Sequence, residues 1–478
     1  MELKKRIRFT TAHCKSNGIV TRPNADNGFW LSVLITLALL VNVMNRDRQP
    51  INQVYKRTTT LCFGMCIHSM CIFISFCSKR SIYVGGKVLY TAITTGFTSL
   101  VFWILLKDNF IVSILSGLFS SVLYDQILDR TLRQMPKSFS LGEASLVCQG
   151  FVAFLYNAFF QIPKSFIYKE LKYNTIDQIH LVVQIGLLGS SLIIMLCHFL
   201  PALRNAFRFW IISILIVSGL ALLPIAGRPA FSILFKFMFN DLNRAMTLVM
   251  YLLILLITSV FVAWRVNRNG TANTSIRKIF HIIILFVYFP GLWCQCTLLY
   301  VASGFMLALM LLLETARIIK LWPIHGILEV VVKSFVDEKD AGLVAFTPIY
   351  LLIGCSLPLW LHPVPCDMTD SAGHDFLKLM AGILSVGIGD TLASICGYYL
   401  GKHKWDGSNK SVEGTLASMI GQFAVVFVLF KMGVVQLNTL KAATVGSAII
   451  INVLIEAKTN QVDNLTLPLV TYIVLGLA

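Results

Sequence analysis

The sequence predicts an all-α, polytopic transmembrane protein of about 13 to 15 spans. Three observations carry that prediction. Of the 478 residues, 56% are hydrophobic and 13% charged, and the mean hydropathy is +0.75, which is too apolar for a soluble globule. The apolar residues gather into runs near the roughly 20 residues that cross hydrocarbon as a helix. None of these runs alternates with period two, which favours helices over a β-barrel.

In chain order the runs are 28–44, 59–77, 82–106, 109–124, 144–162, 179–200, 208–226, 245–264, 279–293, 296–313, 341–362, 376–399, 415–435, 441–456 and 465–478. Several are short, so hairpins and tilted or re-entrant pieces stay open. Before the first run come Lys4, Lys5, Arg6 and Arg8 and then a largely polar stretch, a pattern closer to a cytosolic tail than to a cleaved signal peptide. The formal charge is +17, from 40 Lys and Arg against 23 Asp and Glu. These cations stand in short loops beside apolar runs, as at Arg46, Arg48, Lys56 and Arg57, or Arg265, Arg268, Arg277 and Lys278. That placement reads as orientation signals and lipid-headgroup contacts, with no nucleic-acid partner.

Cys62, Cys66, Cys71 and Cys77 share one apolar run, where thiols act as small hydrophobes and lack the His or carboxylate company of a metal site. Cys294 and Cys296, at an expected hairpin turn, can meet Cys366 if all three face an oxidising lumen, although connectivity is not readable.

The chain divides unevenly into an N-terminal multi-span region, 1–264, without a catalytic constellation, and a C-terminal region, 265–478, that holds every suggestive cluster. The first cluster is Arg277-Lys278-Ile279-Phe280-His281. The second is Glu314 with Arg317, then Asp337-Glu338-Lys339-Asp340. The third runs from Asp390 through Lys402, Lys404, Gly407 and Lys410 to Glu413-Gly414-Thr415. The fourth is Glu456-Ala457-Lys458-Thr459 with Asp463-Asn464. If each run from 279 onward crosses once, loops 265–278, 314–340, 400–414 and 457–464 fall on one face. Their Lys and Arg make that face cytosolic. Loops 294–295, 363–375 and 436–440 fall on the other.

Each cluster has a plain structural reading. Glu314 and Arg317 suit a helix-surface ion pair, Asp337 to Asp340 a solvated loop, Asp463 an N-cap, and His281 a hydrogen-bonded interior residue. Asp390 is harder to absorb. A carboxylate at the end of an apolar segment marks a functional site by default, and a glycine-rich loop with Lys402, Lys404 and Lys410 follows it. Close backbone approach plus cations is polyphosphate-binding chemistry.

The ordered set Arg277-Lys278-x-Phe280-His281, Gly387-x-Gly389-Asp390-Thr391-x-Ala393-Ser394, Gly401-Lys402-His403-Lys404-Trp405, Glu413-Gly414-Thr415 and Glu456-Ala457-x-Thr459-x-x-x-Asp463-Asn464-x-x-x-Pro468 resembles the dolichol kinases, within the wider group of CTP-dependent polyprenol and lipid kinases. The resemblance covers roughly residues 275–475. It implies an endoplasmic reticulum enzyme that moves the γ-phosphoryl of CTP to dolichol, with Lys402 to Thr415 as the nucleotide loop. Asp406 and Asn409 depart from the family pattern, which has proline and a second lysine there. Mg²⁺ prefers one or two carboxylates plus phosphates and water, a role open to Asp390 with Asp463 or Glu413. Asp390 is the first candidate base and His281 the second, and sequence does not separate base from metal ligand. Walker A and protein-kinase catalytic loops do not occur. A cytidylyltransferase or a kinase acting on another membrane lipid, and a transporter, are the competing classes. Asn269, Asn273, Asn409 and Asn464 begin glycosylation acceptor sequences and, in cytosolic loops, are expected to stay unmodified.

Overall fold

The computed structural model describes residues 18–44, 51–77, 84–167, 175–268, 274–335, 340, 342–367, 369–408 and 410–477. Asp337, Glu338, Lys339, Asn269, Asn273 and Asn409 lie outside the described residues. The N-terminal half holds α1 (Leu34–Met44), α2 (Gln53–Cys77), α3 (Val84–Leu105), α4 (Phe110–Leu118), α5 (Tyr124–Gln134), α6 (Leu141–Ile167), α7 (Thr175–Phe199), α8 (Ala206–Leu222), α9 (Ala230–Phe239) and α10 (Leu242–Asn267). After it come α11 (Thr274–Cys294), α12 (Cys296–Ile318), α13 (His325–Phe335), α14 (Thr347–Leu361), α15 (Phe376–Leu379), a π-helical stretch Ile383–Asp390, α16 (Thr391–Leu400), α17 (Val412–Lys431), α18 (Thr439–Lys458) and α19 (Asp463–Leu475). The strands among the described residues are the two-residue pair Pro224–Ile225 and Arg228–Pro229.

Among the described residues eleven helices are long and apolar enough to cross a membrane, and shorter apolar helices accompany them at 29–44, 206–222, 230–239, 347–361 and 463–475. This is the all-α, multi-span architecture the composition predicts. Three helices were not anticipated, the first being α5, which begins where the run at 109–124 ends. Phe231-Ser-Ile-Leu-Phe-Lys-Phe-Met-Phe forms most of α9, too short a run to register as a span. The interior of the 314–340 loop folds into α13, whose Ile327 and Val330 are exposed.

The core centres on the last helix. α19 is buried along nearly its whole length because its sequence is apolar around the full circumference. It packs against α1, α14, α18 and the π-helical stretch. One hydrophobic cluster runs from Leu31 and Tyr124 in the N-terminal half to Tyr288, Leu384 and Tyr472 in the C-terminal half. The outside is different: the most apolar window of α10 has none of its residues buried, the signature of a lipid-facing helix.

The far end of this bundle is fastened covalently. Cys296 is bonded to Cys366, with Cα atoms 5.5 Å apart, while Cys294 stays free and exposed. Asp370 accepts the Cys296 and Thr297 amides and pairs with Arg244 at 3.1 Å. Loops 294–295 and 363–375 therefore share one end, as the crossing pattern requires.

Candidate phosphoryl-transfer site

At the opposite end, the first turns of α11 bring Lys278 and His281 to Asp390. Lys278 Nζ lies 2.5 Å from Asp390 Oδ2, and His281 Nε2 lies 3.4 Å from the same oxygen. His281 Nε2 also faces Asn464 Oδ1 at 3.3 Å, and Ser394 Oγ reaches Asp390 Oδ1 at 3.4 Å. Asp390, His281 and Asn464 are 5%, 6% and 7% exposed. Asp390 closes the π-helical stretch, a wide turn of the kind that recurs at functional positions. It sits one short helix below the loop: α16 has ten residues, which is about 15 Å.

Lys410 closes the other side of the cluster. Its ammonium contacts Glu456 Oε1 at 2.8 Å, Asp463 Oδ2 at 3.4 Å and the Glu456 carbonyl at 2.5 Å. Burial alone would lower its pKa, but the carboxylates of Asp463 and Glu456 outweigh that cost and raise it above the usual lysine value, with Asp390 adding to the effect. Asp463 and Asn464 are adjacent at the start of α19, so this ion cluster and the Lys278–Asp390–His281 cluster form one polar patch.

The loop between α16 and α17 is a small hairpin. Lys404 bridges Ser411, the Trp405 amide donates to the Lys410 carbonyl, and the Val412 amide donates to the His403 carbonyl. Gly407 turns the chain at φ +74°, a conformation costly for other residues. Trp405 Nε1 donates to Thr415 Oγ1 at 3.0 Å. Ser411 caps α17 by accepting the Gly414 amide at 3.1 Å. A Cβ on Gly414 would stand 2.5 Å from the Ala393 carbonyl oxygen, so this glycine serves the tight packing of α16 on α17 and its amide is already occupied. Lys402 and Lys404 are exposed.

The site residues expected from sequence thus separate into two groups. Lys278, His281, Asp390, Lys410 and Asp463 converge. Glu413 does not join them, because its carboxylate accepts from the His403 amide and ring Nδ1, the latter at 2.6 Å. Arg277 is half-buried next to Lys278. Gly407, Gly414 and Thr415 shape the loop. Glu456 and Asn464, part of the fourth sequence cluster, and Ser394, part of the family motif, carry no assigned role from sequence, although the first two stand on either side of the turn that delivers Asp463. Glu314 and Arg317 pair at 2.7 Å, and Glu314 also accepts the Ala345 amide, while Asp340 accepts the Phe346 and Thr347 amides ahead of α14. Glu314 and Arg317 thus make the ion pair of their plain reading, whereas Asp340, read as part of a solvated loop, is fastened to the start of α14.

A family model described as dolichol kinase matches residues 22–352. The match takes in most of the N-terminal half, where the sequence motifs alone offered no more than compatible spans. Dolichol kinases of Bos taurus and Homo sapiens are each 33% identical over 380 residues, covering 76% of this chain and 69% of theirs. The dolichol kinase EVAN of Arabidopsis thaliana is 32% identical over 247 residues, covering 50% of this chain and 42% of that protein. No solved structure matches. With a family match over more than half its length and relatives aligned over more than two thirds of theirs, the chain belongs to the dolichol kinase family.

Proposed function

We propose that this chain transfers the γ-phosphoryl group of CTP to the hydroxyl of dolichol, giving dolichyl phosphate, at the cytosolic face of the endoplasmic reticulum membrane. The observation that carries the reading is the meeting of Lys278, His281, Asp390 and Asn464 with Lys410, Glu456 and Asp463 at one end of a lipid-embedded bundle. Phosphoryl transfer asks the protein for positioning and for cations near developing charge, with little covalent chemistry. Lys278 and Lys410 supply part-buried cations, and Lys402, Lys404 and the turn at Gly407 supply an exposed basic loop for the nucleotide, with Arg277 as a further cation next to Lys278.

The reaction balances simply. The dolichol oxygen bonds to the γ-phosphorus, the bond from that phosphorus to the β-bridging oxygen breaks, CDP leaves, and the hydroxyl proton goes to Asp390. Lys278 Nζ holds that carboxylate from one side, and His281 Nε2, shared between Asp390 and Asn464, fixes its direction. Asp390 and Asp463 are the hard oxygen donors that would hold Mg²⁺ here, two carboxylates in all. That suits a cation held mostly by phosphates and water, whose chemistry when bound is to offset phosphate charge. Glu413, paired with His403, does not fit that role.

Cytosolic orientation is supported by the basic loops on this end and by the Cys296–Cys366 bond on the other, since disulfides persist in oxidising compartments. In this reading 265–478 carries the chemistry and 1–264 completes the membrane body. The test is product analysis with purified protein, dolichol, Mg²⁺ and CTP labelled at the γ- or the α-phosphate. Label is expected in the lipid from γ-CTP only. Transfer of α-label with release of pyrophosphate would make the protein a cytidylyltransferase.

A further inference from the structure

Residues 460–462 form the turn that delivers Asp463 and Asn464, and each of them is held by the N-terminal half. Arg22 Nη2 donates to the Asn460 carbonyl at 3.0 Å. Ser140 Oγ donates to Gln461 Oε1 at 2.5 Å, and Gln461 Nε2 donates to the Asp26 carbonyl at 3.1 Å. Glu143 Oε1 accepts the Val462 amide at 2.9 Å. Glu143 itself is immobilised: Arg22 Nη2 pairs with Oε1 at 2.6 Å, the Ser140 amide donates to Oε2 at 2.8 Å, and the Glu143 amide donates back to Ser140 Oγ at 3.2 Å. Ser140-Leu141-Gly142-Glu143 is thus a capping box at the start of α6 through Oε2, while Oε1 is shared between Arg22 and the Val462 amide.

The segment around Arg22 is laid onto α6 by backbone bonds, Arg22 to Phe139 at 2.8 Å and Gly142 to Asn27 at 2.9 Å. A Cβ on Gly142 would stand 1.7 Å from the Gly28 carbonyl oxygen, so the approach needs glycine. Glu143 is 0% and Arg22 5% exposed. A buried ion pair is weak as a source of stability, because desolvation consumes most of its attraction, and its best-attested use is to fix register. A reacting group displaced by about 1 Å can cost a hundredfold in rate.

We propose that Glu143, locked by Arg22, is a positioning residue: residues 18–28 and the first turn of α6 clasp the 460–462 turn and thereby set Asp463 and Asn464 against Lys410 and His281. The inference rests on the site reading above. It gives the N-terminal half a direct part in the reaction without touching substrate.

The experiment combines hydrogen exchange by mass spectrometry on the full chain in detergent with steady-state kinetics. Glu143→Leu is expected to speed exchange in the peptide spanning 460–464 while peptides from α17 are unchanged. It should also lower kcat at least about tenfold and leave KM for dolichol within about twofold. Glu143→Gln, which keeps an oxygen for the Val462 amide, should recover most of the turnover. Gln461→Leu, which removes the neighbouring bonds, should give the same local exchange signature with a smaller loss, and it decides the matter if Glu143→Leu does not fold. Unchanged exchange at 460–464 in the folded variants, or acceleration spread evenly over all helices, overturns the clasp. Asp463→Asn separates the two levels. If it is inactive while Glu143→Leu is fully active, the clasp alone fails; if it retains wild-type turnover, the site reading fails.

Discussion

Replacing Lys410 with methionine removes the cation that holds one side of the cluster while keeping an unbranched side chain. The ammonium lies 2.8 Å from Glu456 Oε1 and 3.4 Å from Asp463 Oδ2, and the three side chains are 28%, 6% and 12% exposed. Removing one partner of a buried ion pair costs about 3–5 kcal/mol, because a charge is left uncompensated. Lys410 is the most open of the three, which places the expected loss near the lower figure, about 3 kcal/mol. The loss comes chiefly from carboxylates stranded beside each other, so adding Glu456→Gln should restore stability instead of reducing it further. A double-mutant cycle measures this as a coupling of roughly 1–3 kcal/mol. Lysine paired in the folded state has a raised pKa. Its contribution is therefore complete below the unfolded value of about 10.4 and lost only as pH rises through the higher folded value, so the penalty should be flat from about pH 6 to 9. The assay is unfolding of the four purified proteins in one detergent. A Lys410→Met protein within about 0.5 kcal/mol of wild type, or further destabilisation by Glu456→Gln, would refute the reasoning.

Asp390→Asn removes the proposed base without changing size, and turnover should fall by about 10²–10⁴-fold with membrane insertion retained; purified mutant at half of wild-type turnover would defeat this. Lys404 is exposed, so Lys404→Ala should leave stability within about 0.5 kcal/mol and chiefly raise KM for CTP. An effect confined to the dolichol constant would move that lysine to the lipid headgroup. Asn464 is 7% exposed and bonded to His281, and Asn269 and Asn409 stand in the loops assigned to the cytosol. None should carry an N-linked glycan after eukaryotic expression, and a glycan on Asn269 or Asn409, read by mass spectrometry, would put that loop in the lumen.

Much of this was legible because the relevant signals are local or additive. Apolar runs gave the helices of the C-terminal half nearly in full, and counting crossings placed Lys278, Asp390, Lys410 and Asp463 at one end and Cys296 and Cys366 at the other. What stayed hidden depends on contacts between distant segments. The carboxylate of Glu413 looks like that of Asp463 in sequence, and only folding shows that one is taken by His403 and the other by Lys410. Gly414 reads as a phosphate-binding glycine, and sequence gives no sign that the Ala393 carbonyl, packed against it, also requires a glycine there. The π-helical stretch that ends at Asp390 packs against α11, α17 and α19, and no period in Ile383–Asp390 announces it. Ser140 and Glu143 have capping-box spacing, but the partner 319 residues away, Val462, has no sequence signature.

The most direct measurement uses sealed microsomes containing this protein and γ-labelled CTP, which does not cross the membrane, added outside. The account predicts full labelling of dolichol without detergent and none with Asp390→Asn. Labelling that appears only after the vesicles are opened would place the cluster on the lumenal side and contradict the account.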